Sequence, residues 1–250
     1  MSVTLRAFTC GWLHLPVSFF IEGGEETLLR APVPAYLIEH PKGRVLFDTG
    51  LTVRARRLLI DQQSSAGRPN FEFDEGTDIA ARLRAVDIDP ARIDWIVNSH
   101  LHSDHCGGNE AIPNASVVIQ HRELVVARAQ AGSMLYDDRS FETGQPFLGI
   151  DGEHDLFGDG RVTVFPTYGH TPGHQSMRVS LASGNVILAG DCCYLKRSLD
   201  ELRTSPADVD KEQAAATLRR LRALKASGAR IFYGHDGVFW KDVAQGVALC

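Results

Sequence analysis

Apolar positions along the chain come in short runs closed by glycine, proline or polar residues, which predicts a layered α/β protein. Ala35 to Glu39 and Arg44 to Phe47 flank a Pro-Lys-Gly turn and read as a hairpin that ends at Asp48-Thr49-Gly50. Further strands are predicted at Trp95-Ile96-Val97, Ser116 to Gln120, Val162 to Pro166, Gln175 to Ser180, Asn185 to Ala189 and Ile231-Phe232-Tyr233. Helical spacing of Ile79, Leu83 and Val86 predicts a helix capped by Thr77. A second helix is expected over Arg122 to Ala131, and a third from about Asp208 to Ser227 that buries Leu218, Leu221 and Leu224. Residues 51 to 76, with Arg54, Arg56, Arg57 and Pro69, have no sustained period and predict a short helix and then a long excursion, the place for a lid or a homodimer contact. A second polar loop, residues 132 to 149, carries Met134, Leu135, Tyr136, Phe141 and Phe147, which either face a pocket or anchor the loop.

Strands followed by a helix-strand succession, and then the same again, predict two similar units packed sheet against sheet with helices outside, in one domain spanning residues 1 to 250. A 44% hydrophobic share over 250 residues is ample for one such core. The formal charge of -5 supplies no basic field, so nucleic acid is not an expected partner. Five scattered cysteines, an odd number that includes the adjacent pair Cys192 and Cys193, read as reduced thiols of a cytoplasmic protein. Leu13 to Ile21 is interrupted by His14 and Pro16, so neither a secretion signal nor a membrane span is expected.

The chemistry is concentrated after Trp95-Ile96-Val97. Residues 98 to 109 read Asn-Ser-His-Leu-His-Ser-Asp-His-Cys-Gly-Gly-Asn, placing His100, His102, Asp104 and His105 where the chain leaves a strand. Imidazole and carboxylate together suit a borderline divalent ion, and spacing this tight suggests two ions about 3.5 Å apart. A histidine-rich surface loop is the plain alternative. It loses weight because His170 in Gly-His-Thr-Pro-Gly-His, Asp191 after Val186-Ile187-Leu188-Ala189, and His235 after Ile231-Phe232-Tyr233-Gly234 repeat one layout. Each candidate follows a strand-like stretch and a glycine, as a site at one edge of a sheet requires.

The set and order of these residues, His-x-His-x-Asp-His, then a lone His, an Asp and a lone His, resembles the metallo-β-lactamase-fold hydrolase superfamily. The resemblance implies a four-layer αββα sandwich of two mixed sheets packed face to face. It implies one ion held by His100, His102 and His170, another held by Asp104, His105 and His235, and Asp191 bridging them. Zinc leads as the ion, with cobalt, manganese or iron as alternatives. Asp48 would be buried behind the ligands, Cys106 would pack beside them, and His174 would support the His170 loop through a hydrogen bond. His40, His121 and His154 read as turn or helix-start residues, and His14 as part of an apolar rim or of the core.

Tyr194, three residues after Asp191, together with His-Thr-Pro-Gly-His-Gln-Ser at 170 to 176 and Tyr-Gly-His-Asp at 233 to 236, resembles the N-acyl homoserine lactonases. That likeness implies a small-molecule lactone substrate whose ring is opened to N-acyl homoserine by a hydroxide shared between the ions. Tyr194 would stabilise the oxyanion and Asp104 would relay the proton. Ser103 stands where many such lactonases carry Phe, which leaves the acyl preference open. Alternatives in the same fold are another lactonase, a glyoxalase II-like thioesterase, a phosphotriesterase or a sulfatase. Residues 236 to 250 look too short for the basic helical extension of the thioesterase. A diiron redox protein and a non-catalytic signal-binding module are the readings from other classes. The first would put a carboxylate at one histidine position, and the second would retain its ligand without turnover.

Overall fold

Val45-Leu46-Phe47 and Val186-Ile187-Leu188 are apolar throughout because their strands are covered on both faces, and their side chains alternate between two different cores. In the computed structural model, which describes residues 2–55, 71–133 and 135–250, these strands belong to two mixed sheets. Among the described residues the first sheet has seven strands: β1 (Thr4–Pro16), β2 (Leu28–His40), β3 (Gly43–Phe47), β4 (Phe71–Glu72), β5 (Trp95–Val97), β6 (Ser116–Gln120) and β7 (Phe147–Ile150), in the order β4-β1-β2-β3-β5-β6-β7. The second has five: β8 (His154–Asp155), β9 (Val162–Pro166), β10 (Gln175–Leu181), β11 (Gly184–Leu188) and β12 (Arg230–Phe232), in the order β12-β11-β10-β9-β8.

The sheets face each other across one core. Tyr36, Ile38, Val45, Phe47, Val97 and Val118 come from the first sheet, and Val164, Met177, Val179, Val186, Leu188 and Phe232 from the second. Intervening residues point outward. Leu37, Leu46 and Ile96 pack on Ile79 and Leu83 of the helix Ile79–Arg84, while Ile187 and Ile231 pack on Leu218 and Leu221 of the helix Lys211–Ala226. The result is the expected αββα sandwich of four layers. Parallel pairing of β3, β5 and β6, and of β11 with β12, sends the segments that follow β5, β11 and β12 toward one end, where the candidate residues lie.

Several boundaries depart from the sequence reading. Asp78, not Thr77, caps the helix Ile79–Arg84 by accepting from the Ala81 N–H, while the Thr77 hydroxyl donates to the Asp74 carbonyl. The long helix starts at Lys211 behind Asp210, whose carboxylate accepts from the Gln213 N–H. Residues 132 to 149 are not simply loop, because Asp138–Phe141 is helical and β7 begins at Phe147. Of the excursion over residues 51 to 76, residues 56–70 lie outside the described residues, as does Met134, and Phe71–Glu72 pair with β1. No helix among the described residues is long and apolar enough to cross a membrane.

Candidate metal centre

β5 is followed by His100 and His102, then by a single helical turn, Ser103–Cys106, that carries Asp104 and His105. This turn lies against the segment after β3 backbone to backbone. A Cβ on Gly107 would sit 2.5 Å from the Thr52 nitrogen, and one on Gly108 2.4 Å from the Thr49 oxygen, so neither position accepts a side chain without movement. His170 lies between β9 and β10, Asp191 on the turn Gly190–Cys193 after β11, and His235 after β12.

These seven side chains, drawn from four segments of the chain, converge. His170 Nε2 is 3.3 Å from His102 Nδ1. Asp191 Oδ2 lies 3.9 Å from His100 Nε2 and 3.6 Å from His170 Nε2. The other oxygen, Oδ1, lies 3.1 Å from His105 Nε2 and 3.1 Å from His235 Nε2. Asp104 Oδ2 is 3.6 Å from His105 Nε2 and 3.7 Å from His235 Nε2. Donors bonded at about 2.0–2.1 Å around one tetrahedral ion are separated by about 3.3 Å, so these spacings fit two adjacent cation sites. Three overlapping groups have ligand atoms within 4.8 Å of one another: His100, His102 and His170; His100, His105 and Asp191; and Asp104, His105 and His235. His100 Nε2, His105 Nε2 and Asp191 Oδ1 are buried and make no hydrogen bond, so the residues present fit a divalent ion.

Partners behind the imidazoles fix which nitrogen faces inward. Ser99 Oγ donates to Asp48 Oδ2 at 2.9 Å and so accepts from His100 Nδ1 at 3.0 Å. His105 Nδ1 donates to Asp48 Oδ2 at 2.8 Å, and His235 Nδ1 to the Pro32 carbonyl at 2.7 Å. Each arrangement presents Nε2 to the centre. Asp48 adopts φ 57°, and its Oδ1 accepts from the Ser99 N–H at 2.7 Å, which holds the carboxylate under His105.

The field of the site favours positive charge on one side. Burial pushes His105 down, but Asp191, Asp104 and Asp48 outweigh it and hold it well above the ordinary imidazole value. Burial also raises Asp191, yet His105 and His235 hold it well below the usual carboxylate range. On the opposite side, burial and the neighbouring His105, His102 and His170 keep His100 well below its ordinary value.

Tyr194 stacks on His235 with ring centroids 5.6 Å apart, its hydroxyl lies 3.2 Å from His170 Nδ1, and Phe20 packs edge-on to it at 5.4 Å. Burial, reinforced by Asp191, Asp208 and Asp104, raises the phenol well above its usual value, so it remains a neutral proton donor.

The remaining sequence candidates sort clearly. Cys106 is buried, its thiol donating to the Leu101 and His102 carbonyls, and belongs to none of the donor groups. His174 ties the segment between β9 and β10 to the turn after β11: Thr167 Oγ1 lies 2.9 Å from Nδ1, and the Asp191 N–H donates to Nε2 at 3.1 Å. His14 pairs with Glu72 at 2.5 Å, rather than lining an apolar rim. His40 bonds Asp159 at 3.0 Å and stacks on Phe157. Tyr136 does reach the site, with its ring 5.1 Å from His102, whereas Leu135 is exposed. Sequence reasoning missed Ser99, whose only signal was adjacency to His100. It also missed two carboxylates that look ordinary in sequence: part-buried Asp208, 3.6 Å from His170 Nδ1, and buried Glu123 in a first helical turn.

The family model described as the Metallo-beta-lactamase superfamily matches residues 28–235. The N-acyl homoserine lactonase AttM of Azorhizobium caulinodans is 34% identical over 225 residues, 84% of this chain and 83% of the relative. The N-acyl homoserine lactonase AiiA of Bacillus thuringiensis subsp. kurstaki is 32% identical over 239 residues, 93% of this chain and 91% of the relative. A solved N-acyl homoserine lactone hydrolase, carrying its product N-hexanoyl-L-homoserine at the catalytic metal centre, superposes with a TM-score of 0.87 at 28% identity and full coverage of both chains.

Proposed function

Since the chain belongs to the metallo-beta-lactamase superfamily, we propose that it is a metal-dependent hydrolase that opens the lactone ring of N-acyl homoserine lactones to give N-acyl homoserine. The observation that carries this reading is Asp191, each of whose oxygens faces a different group of imidazoles, with Tyr194 stacked beside the pair. His100, His102 and His170 would hold one divalent ion, and Asp104, His105 and His235 the other, with Asp191 shared. A set of imidazoles and carboxylates without thiolate suits zinc first, then cobalt, manganese or iron. Ions bound there supply Lewis acidity and a water acidified toward neutrality as the nucleophile.

The chain's own groups position and protonate. With His170 Nε2 turned to the centre, its Nδ1–H donates to the Tyr194 oxygen, which leaves the phenol's proton for an oxygen of the substrate. That donor stabilises the charge developing on the lactone carbonyl. Asp104 keeps 21% of its side-chain surface open, enough to take a proton from the attacking water and return it to the ring oxygen as the C–O bond breaks. Phe20, packed on both Tyr194 and His235, keeps solvent from that side. The described cysteines are all free thiols, four of them buried, which fits a reducing compartment such as the cytoplasm.

Tyr194→Phe is expected to slow ring opening by about one to two orders of magnitude while metal content per chain is unchanged. Unaltered turnover would remove the phenol from the mechanism. The reading as a whole is tested by incubating the purified protein with short- and long-chain acyl homoserine lactones, a thioester and a phosphotriester, and identifying products by mass. Hydrolysed lactone at the highest kcat/KM is the expected result, and preference for the thioester or phosphotriester overturns the substrate class.

A further inference from the structure

A carboxylate that the proposed reaction does not use lies behind one half of the centre. Glu123, in the first turn of the helix His121–Ala129, is fully buried and accepts from four donors. Oε2 receives the Thr171 hydroxyl at 2.7 Å and the Gly173 N–H at 2.9 Å. Oε1 receives the Tyr136 hydroxyl at 3.2 Å and the Leu101 N–H at 3.3 Å. An ionised carboxylate is acceptor-only and matches four donors, whereas an amide would turn its own N–H groups toward two of them.

Every one of these donors serves the same triad. Leu101 separates His100 from His102, Thr171 and Gly173 follow His170, and the Tyr136 ring lies against His102. The docking is close. A Cβ on Gly173 would fall 2.4 Å from both the Glu123 nitrogen and its Cβ, so the His170 loop rests directly on the first turn of the helix. Among the described residues no hydrogen bond joins Glu123 to Asp104, His105 or His235, and His105 leans instead on Asp48. Glu123 therefore backs the His100, His102 and His170 half alone, whereas Asp48 stands behind His105 and, through Ser99, behind His100 as well.

We propose that Glu123 is a positioning residue that sets the ion affinity of the His100, His102 and His170 triad, by locking the two segments that carry it to one helix. The inference rests on the reading that these residues hold an ion. The test is chelator-competition titration of the full chain with zinc. In the wild type two dissociation steps are expected, one removed by His102→Ala and the other by His235→Ala.

Glu123→Gln is expected to raise the dissociation constant of the His102-assigned step about 10- to 100-fold and to move the other step by a smaller factor. Equal shifts in both steps, or no shift, overturn the inference. If Glu123→Gln does not fold, Thr171→Val, which removes one donor and keeps the carboxylate, decides the matter by the same criterion with a smaller shift. Failure of the wild type to bind zinc would overturn the metal reading and this inference with it. Zinc binding in two steps with an unselective variant overturns this inference alone.

Discussion

Replacing Asp191 with asparagine is expected to release both ions and to lower kcat/KM by about three orders of magnitude or more, about 4 kcal/mol of barrier. Shape is conserved in this substitution, so the effect isolates charge and donor number. The carboxylate is buried with one oxygen 3.1 Å from both His105 and His235 and the other 3.6 Å from His170. An amide has a single acceptor oxygen, carries no charge, and would aim an N–H at one of the two imidazole groups. Loss of the shared anion also leaves His105 with less to offset its burial, so the site favours a cation less strongly in either half. Elemental analysis alongside kinetics measures both effects. Full occupancy with normal rates would refute the bridging role of Asp191.

Removing the ions by chelation is expected to lower the melting temperature by about 10–20 °C as well as to abolish turnover. The stabilisation comes from mass action. An ion held at about 100 times its dissociation constant stabilises the native state by about 2.7 kcal/mol, so two ions so held give about 5 kcal/mol. In a chain of this size each kcal/mol corresponds to about 2–4 °C. The candidate ligands come from four separate segments, after β5, between β9 and β10, after β11 and after β12, so the unfolded chain offers no comparable site. Calorimetry before and after verified metal removal, with zinc added back, gives the shift. Coincident melting curves for the two forms would mean that the convergent donors hold no stabilising ion.

The convergence of the candidate residues was legible because their chemistry is local in sequence. His100, His102, Asp104 and His105 sit in one stretch, and His170, Asp191 and His235 each follow a strand-like run and a glycine. Strands covered on both faces, such as β3 and β11, were legible as continuous apolar runs. β1 was not, because its register shifts between Thr9 and Trp12, where Gly11 has φ 126°, and its latter half is only part-buried, so neither alternation nor a continuous run marks it. β7 was missed for a related reason: only Ile150 of its four residues is buried and a glycine sits inside it.

Helix starts depended on which of two adjacent polar residues points back to the helix. Thr77 and Asp78 are equivalent in sequence and differ only in where their side chains bond. Glu123 was invisible for a deeper reason. An acid in a first helical turn is common on surfaces, where it complements the helix dipole. Only the packing of the His170 loop onto that turn shows that Glu123 is buried and that its donors all serve one triad.

Anomalous scattering at the zinc edge from crystals of the zinc-loaded protein tests the central claim most directly. Two peaks about 3.5 Å apart are expected, one within bonding distance of His100, His102 and His170, the other of Asp104, His105 and His235, with Asp191 reaching both. A single peak, or peaks away from these seven side chains, would contradict it.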